Sequence, residues 1–177
     1  RVGGNTVGFN TDGIVLTGAD ATGNEISDNF VGTNVSGADL GNSVTGILVS
    51  DAPGNTIGGA GAGNVLGHNG FFGINMFSAD ATDTEVLGNF VGTNASGADL
   101  GNQNDGILVL QASGNTVGGH RVGFHTDRIV LTVADAPGHA IPANFVVTNV
   151  SSPDTAHRAT HRLDSAGPGV PPVRTAA

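Results

Sequence analysis

The chain repeats itself at an interval of 60 residues. Residues 23–59 match residues 83–119 at 24 of 37 positions, and both segments contain the strings NFVGTN and SGADLGN. Residues 120–157 match residues 5–42 at 22 of 38 positions without a gap. Such self-similarity is typical of solenoids, in which each unit buries its apolar surface only by stacking on its neighbours. The repeat therefore constrains the fold much more than the function.

Within each repeat, short β-rich runs alternate with Gly, Asn and Asp. Five runs share one pattern and begin at Gly13, Gly46, Gly73, Gly106 and Arg128. No segment has an apolar stripe of period 3.6 that is long enough for a helix. Recurring strands without crossover helices predict an all-β fold, a parallel β-helix (β-solenoid) of about five coils. We expect residues 1–159 to form a single domain, and residues 160–177, which have little to bury, to be a flexible tail.

Period-2 alternation assigns the side chains of these runs to two faces. The inward positions are Ile14, Leu16, Ile47, Val49, Ile74, Met76, Ile107, Val109, Ile129 and Leu131. Phe30, Phe90 and Phe145 recur at one repeat position, and we expect them to fill a shared corner of the core. Asn residues beside Gly suit tight corners, where stacked Asn side chains can hydrogen-bond from coil to coil.

The outward positions of the same runs form a largely apolar strip. One row contains Val15, Leu48, Asn75, Leu108 and Val130, and the next row includes Phe77 and Leu110. An apolar strip of this size marks a contact surface or is covered by another part of the chain. The repeated TNxSGADLGN loops are long enough to cover it, so the sequence leaves both interpretations open.

The charge distribution restricts the partners. Residues 2–120 contain eleven Asp or Glu residues and neither Lys nor Arg. A surface without cations repels phosphate, so we expect no nucleic-acid binding. No apolar run approaches the roughly 20 residues of a membrane span, so we expect no membrane insertion. The chain begins with Arg and lacks a signal-like stretch, and we interpret it as part of a longer polypeptide.

Strings such as NFVGTN, SGADLGN and GAGNVLGHN resemble the parallel β-helix repeats of large bacterial secreted and cell-surface proteins. The resemblance covers residues 3–119 well and residues 120–157 loosely. It implies a right-handed parallel β-helix with the pectin-lyase-like superfamily fold and an extracellular or cell-surface location. That superfamily contains polysaccharide lyases, hydrolases and epimerases as well as non-catalytic stalks and adhesins. The motifs therefore indicate the fold and leave the chemistry open.

The last repeat, residues 120–159, is degenerate. His120 and His125 stand where the matching repeat has Asn5 and Asn10, and Arg128 replaces Gly13. One interpretation is a decayed or corrupted final coil. The other is a terminal cap, since the end units of solenoids are usually atypical.

Two sets of acidic residues are candidates for chemistry. Asp105 and Asp127 immediately precede consecutive runs, and if the register holds, their carboxylates lie roughly 5–5.5 Å apart, as in retaining glycosidases. A solvated turn is the alternative. Asp39 and Asp99 recur in the TNxSGADLGN loops and are candidate ligands of a structural Ca²⁺, although the spacing lacks known calcium-loop patterns. We predict no other cofactor.

These observations favour a non-enzymatic extracellular repeat segment. It would serve as a spacer, or as an adhesive surface that contacts a polysaccharide or another cell-surface partner. The alternative is a fragment of a polysaccharide-degrading enzyme, a glycoside hydrolase or lyase, with Asp105 and Asp127 as acid and nucleophile. A complete lyase site needs a basic residue, which residues 2–120 do not supply as Lys or Arg.

Overall fold

The computed structural model describes residues 1–132, 140 and 144–147. The expected tail, residues 160–177, lies outside the described residues. The described residues form sixteen β-strands and no helix. In chain order the strands are β1 (Val2–Gly3), β2 (Thr6–Val7), β3 (Asp12–Thr17), β4 (Glu25–Ser27), β5 (Phe30–Val31), β6 (Thr45–Ser50), β7 (Thr56–Gly58), β8 (Val65–Leu66), β9 (Phe72–Phe77), β10 (Glu85–Leu87), β11 (Phe90–Val91), β12 (Asp105–Leu110), β13 (Thr116–Gly118), β14 (Arg121–Gly123), β15 (Asp127–Thr132) and β16 (Phe145–Val147).

The strands form three parallel sheets. Sheet A contains β1, β4, β7, β10 and β13; sheet B contains β2, β5, β8, β11, β14 and β16; sheet C contains β3, β6, β9, β12 and β15. The chain visits sheets A, B and C in turn and then returns to sheet A one coil further on. This is a parallel β-solenoid, as predicted, and its five strands in sheet C are separated by about 4 turns of the chain. The right-handed sense of the coil stays a prediction.

Columns of stacked apolar side chains fill the interior. Nine of the ten residues predicted to point inward from sheet C are at most 8% exposed, and the tenth, Ile14, packs against them partly buried. Sheet A adds Ile26, Ile57, Val86 and Val117, and sheet B adds Val31, Leu66, Val91 and Val122, all 0% exposed. Full burial of one such side chain contributes about 1.5–3 kcal/mol, so the columns are the main source of stability.

The prediction that Phe30, Phe90 and Phe145 fill the core is wrong. Phe30 and Phe90 are half-buried on the outer side of sheet B, and Phe145 is 64% exposed. Val31 and Val91, the residues that follow two of these rings, are 0% exposed. Alternation explains the error, because a buried Asn precedes each of these Phe–Val pairs and turns the ring outward and the valine inward.

The predicted Asn stacking is confirmed, and it occurs at all three corners of the coil. The A–B ladder contains Asn5, Asn29, Asn64, Asn89, His120 and Asn144. The B–C ladder contains Asn10, Asn42, Asn69, Asn102 and His125. The C–A ladder contains Asn24, Asn55, Thr84 and Asn115. Each rung satisfies polar groups that the corners would otherwise bury without partners.

Glycine is the second residue of β3, β6, β9 and β12, and in the first three of these strands neighbouring coils approach too closely there for a side chain. A Cβ atom on Gly13 would lie 2.7 Å from the carbonyl oxygen of Gly46, and one on Gly46 would lie 2.6 Å from that of Gly73. Gly73 faces Gly106 in the same way, at 2.7 Å. The shared glycine of these runs is therefore a packing requirement.

Candidate functional site

The two outer rows of sheet C are aligned as predicted. The strand register pairs Val15, Leu48, Asn75, Leu108 and Val130 from coil to coil, and it places Phe77 beside Leu110 in the second row. Val15 is 47% exposed and Phe77 is 39% exposed, while the other members of the strip are half-buried. The strip is continuous along the axis, and its role as a binding surface stays a prediction.

Asn75 interrupts the apolar row at its centre. Its Oδ1 atom is buried and has no hydrogen-bond partner among the described residues. A buried amide oxygen without a donor is unfavourable by about 1–3 kcal/mol. The middle of the strip therefore contains a buried polar atom that the described part of the chain leaves unsatisfied.

The TNxSGADLGN loops pack at the corner between sheets B and C. The carbonyl oxygen of Leu40 accepts a hydrogen bond from the backbone N–H of Phe9 at 3.0 Å, and that of Leu100 accepts one from His68 at 2.9 Å. Leu100 is 2% exposed. These bonds hold each loop against the preceding coil.

Asp39 and Asp99 shape the turns within these loops. Asp39 Oδ1 accepts the backbone N–H of Gly41 at 2.9 Å, and Asp99 Oδ1 accepts that of Gly101 at 3.0 Å. Among the residues that the structure describes, no three His, Asp or Glu side chains form a group that could hold a metal ion. Calcium binding at Asp39 and Asp99 stays a prediction.

The strand register pairs Asp105 with Asp127 on adjacent strands. The register that a carboxylate pair requires is therefore present in the backbone. The side chain of Asp127 is outside the described part of the structure. Asp105 is 8% exposed. Asp12 begins another strand of the same sheet, and its Oδ1 accepts the backbone N–H of Thr45 at 3.1 Å. An Asp at this position can thus serve the fold alone, and the catalytic assignment stays a prediction.

One cavity was not predicted from the sequence. The connection from β7 to β8 is six residues long, 59–64, whereas the equivalent connections 28–29, 88–89 and 119–120 have two residues. The longer connection helps to form an open cavity of about 590 Å³ at the A–B corner, lined by Gly59, Ala60, Gly61, Gly63, Leu87, Gly88, Phe90, Gly118 and Gly119. None of these lining residues is charged. The string GGAGAG is the only sequence signal for it.

His120 replaces Asn in the A–B ladder without breaking it. Its Nδ1 accepts the backbone N–H of Asn89 at 3.1 Å, and its Nε2 lies 2.9 Å from the carbonyl oxygen of Val86. The neutral ring protonated at Nε2 satisfies both contacts. Burial lowers the pKa of His120 to about 4, against the opposing effect of the backbone bonds to Val86 and Asn89. The ring is therefore neutral at physiological pH and replaces the Asn amide.

The fold thus defines the class, a parallel β-solenoid with three corner ladders. Comparisons with protein-family models, curated proteins and solved structures found no match to the chain. In the described part of the chain, no helix is long and apolar enough to cross a membrane.

Proposed function

We propose that this chain is a non-enzymatic β-solenoid segment of a longer bacterial protein, secreted or at the cell surface. It acts as a spacer and presents the outer rows of sheet C to a polysaccharide or another cell-surface partner. The observation that supports this proposal most directly is that the repeated polar residues are engaged with the chain itself. Asn29 and Asn64 bond along their ladder, and Asp12 and Asp39 bond to backbone amides.

The spacer role follows from the geometry of stacking. Each coil contacts its neighbours and adds about 4.8 Å of length, so the reach of such a segment grows with the number of coils. The core columns and corner ladders are continued from coil to coil. A segment of this kind lengthens a protein without needing a site of its own.

The contact role is supported by the strip on sheet C. A continuous row that includes Val15, Leu48 and Leu108 offers apolar surface along the axis, which is unusual for a face without a partner. Residues 2–120 have no Lys or Arg, so the strip suits a neutral partner better than a polyanion.

The first experiment is to incubate the purified chain with neutral and acidic polysaccharides, with and without Ca²⁺. Retention on each polymer and release of reducing ends or unsaturated products are measured in the same samples. We expect retention without products, and we expect Leu48→Asp to weaken it while Val35→Asp, at an exposed loop position, does not. Product formation would contradict the non-enzymatic assignment, and the absence of retention would leave the spacer role alone.

The alternative function, a fragment of a polysaccharide-degrading enzyme, is favoured by one observation, the Asp105–Asp127 register. If the pair acts as acid and nucleophile, Asp127→Asn abolishes the release of reducing ends. Asp99→Asn, in a loop of the same sheet corner, serves as the matched control. Unchanged turnover in Asp127→Asn would remove the assignment.

A further inference from the structure

The outer face of sheet B carries an aromatic row. The register aligns Phe30, Val65, Phe90, Arg121 and Phe145 on successive strands. Phe30 and Phe90 are separated by two strand spacings, about 9.6 Å. At the far end the Arg121 guanidinium lies 5.5 Å from the centre of the Phe145 ring. The row therefore offers flat apolar rings at intervals along the solenoid axis.

The cavity at the A–B corner opens beside this row and includes Phe90 in its lining. Its volume of about 590 Å³ lies within the range of small-ligand sites. Phe90 and Leu87 supply the apolar part of the lining. The remaining walls are mostly glycine, so backbone atoms rather than side chains face the space.

The composition of the lining limits the class of ligand. No lining residue is charged, and Arg121, the cation next to Phe90 in the row, directs its guanidinium to the carbonyl oxygen of Ala95 and to the Phe145 ring. The cavity itself therefore disfavours an anion.

The N–H of Gly59 already donates to the carbonyl oxygen of Leu87, and that of Gly88 donates to the carbonyl oxygen of Gly118, while a carbonyl oxygen with one partner can accept a second hydrogen bond. A neutral sugar ring has apolar faces for Phe90 and hydroxyl groups at its rim for the peptide groups, so it matches both parts of the lining.

We propose that the cavity and the Phe30–Val65–Phe90 row bind a neutral polysaccharide that runs along the solenoid axis, with one sugar ring against Phe90. This inference rests on the carbohydrate contact of the proposed function. It assigns that contact a second surface, separate from the outer rows of sheet C.

The test measures binding of soluble hydroxyethyl cellulose, galactomannan and arabinoxylan by affinity electrophoresis, with polygalacturonate as the acidic comparison. The variants are Phe90→Ala, Phe90→Leu and Phe30→Ala. Phe9→Ala, at a 78% exposed ring outside both surfaces, is the matched control, and Phe77→Ala reports on the rows of sheet C. Thermal melts verify the fold, and Phe90→Leu keeps apolar volume if Phe90→Ala is unstable. We expect Phe90→Ala and Phe90→Leu to weaken binding roughly tenfold, Phe30→Ala to weaken it less, and Phe9→Ala to leave it unchanged.

The outcomes separate the two proposals. If the wild type binds a neutral polysaccharide and the folded Phe90 variants bind it equally well, this inference is wrong and the proposed function stands. Loss of binding in Phe77→Ala alone places the contact on sheet C. In that case too, this inference is wrong and the proposed function stands. Stronger binding to polygalacturonate than to the neutral polymers overturns the ligand class. No binding by the wild type overturns the carbohydrate contact of both proposals.

Discussion

His120 and His125 each replace an Asn of a corner ladder, and the hydrogen bonds around the two histidines differ. At the A–B corner, Asn64 and Asn89 each donate an Nδ2 hydrogen to a carbonyl oxygen of the preceding coil at 2.9 Å. His120 makes the same contact through Nε2. At the B–C corner, Asn69 reaches the equivalent carbonyl oxygen, that of Val31, only at 3.4 Å.

The difference appears one rung before each histidine. Asn89 keeps partners for its Nδ2 in the carbonyl oxygens of Ile57 and Leu87. Asn102, before His125, has a buried Nδ2 without a hydrogen-bond partner among the described residues.

His125 Nδ1 accepts the backbone N–H of Asn102 at 3.2 Å, whereas in the Asn42–Asn69 rung the Asn69 oxygen accepts both the backbone N–H and the Nδ2 hydrogen of Asn42. Replacing Asn by His removes the side-chain oxygen that accepts the Nδ2 hydrogen of the preceding rung. The effect on stability thus depends on whether a backbone carbonyl oxygen is near enough to accept that hydrogen instead.

The largest expected loss of stability comes from a substitution in the core column on which both corners depend. Ile107→Asp places an unpaired charge at a 0% exposed position, and we expect a loss of several kcal/mol that unfolds the neighbouring coils. Leu108→Asp, the adjacent outward residue, is the matched control and should cost far less. Thermal melts followed by circular dichroism measure both. An Ile107→Asp melt equal to that of the wild type would contradict the inward assignment.

The second effect is acid destabilisation through His120. Its pKa is about 4 in the folded chain and 6.5 as the reference value, so both states are neutral above 6.5. As the pH falls from 6.5 to about 4, His120 becomes protonated in the unfolded chain and stays neutral in the folded chain. We expect a loss of about 3 kcal/mol over this window and no further loss from His120 below it.

Urea denaturation of the wild type and of His120→Asn across this pH range measures that loss. The carboxylates titrate in both proteins, so the difference between them isolates the histidine. A constant difference from pH 7.5 to pH 4 would show that His120 is not the titrating group.

A smaller effect should appear at the other corner. His125→Asn restores an oxygen that can accept the Nδ2 hydrogen of Asn102, so we expect it to stabilise the chain by about 1 kcal/mol at pH 7.5. Urea denaturation of the variant and the wild type measures the change. Destabilisation would show that the ring fills space at this corner better than an amide does.

The smallest effect completes the comparison. His120→Asn at pH 7.5 exchanges one satisfied rung for another, so we expect the free energy of unfolding to change by less than about 0.5 kcal/mol. The same denaturation series supplies the value. A change as large as that of His125→Asn would remove the distinction between the corners.

The parts of the fold that could be predicted from the sequence are those in which long strands recur. In the six-residue strands of sheet C, alternation can be read directly, and the inward set around Ile47 and Val49 is correct. The strands that carry Phe30 and Phe90 have two residues each, so alternation does not show which of the two residues points inward. The size of the rings then favours the wrong assignment, with Phe in the core. The preceding Asn, which occupies the inward corner, is the signal that fixes the phase.

The candidate sites were less predictable, for a related reason. The rows on sheet C follow from the same alternation, and the Asp105–Asp127 pairing follows from repeat spacing. The cavity beside Phe90 depends on one longer connection that the other described coils do not repeat, so comparison of the repeats could not show its shape. The partners of His120 depend on backbone carbonyls from the previous coil, which no residue type in the sequence reports.

The corner ladders have one further consequence. In the amide-to-amide rungs of the A–B and B–C ladders, the oxygen faces the coil before it and the NH₂ group faces the coil after it, as Asn29 shows between Asn5 and Asn64. The amide dipoles of successive rungs therefore add head to tail along the axis. The solenoid is a rod with unlike ends, partially negative beside Asn5 and partially positive in the direction of His120. Only a coil that arrives with its donors facing Asn5 can extend the rod at that end.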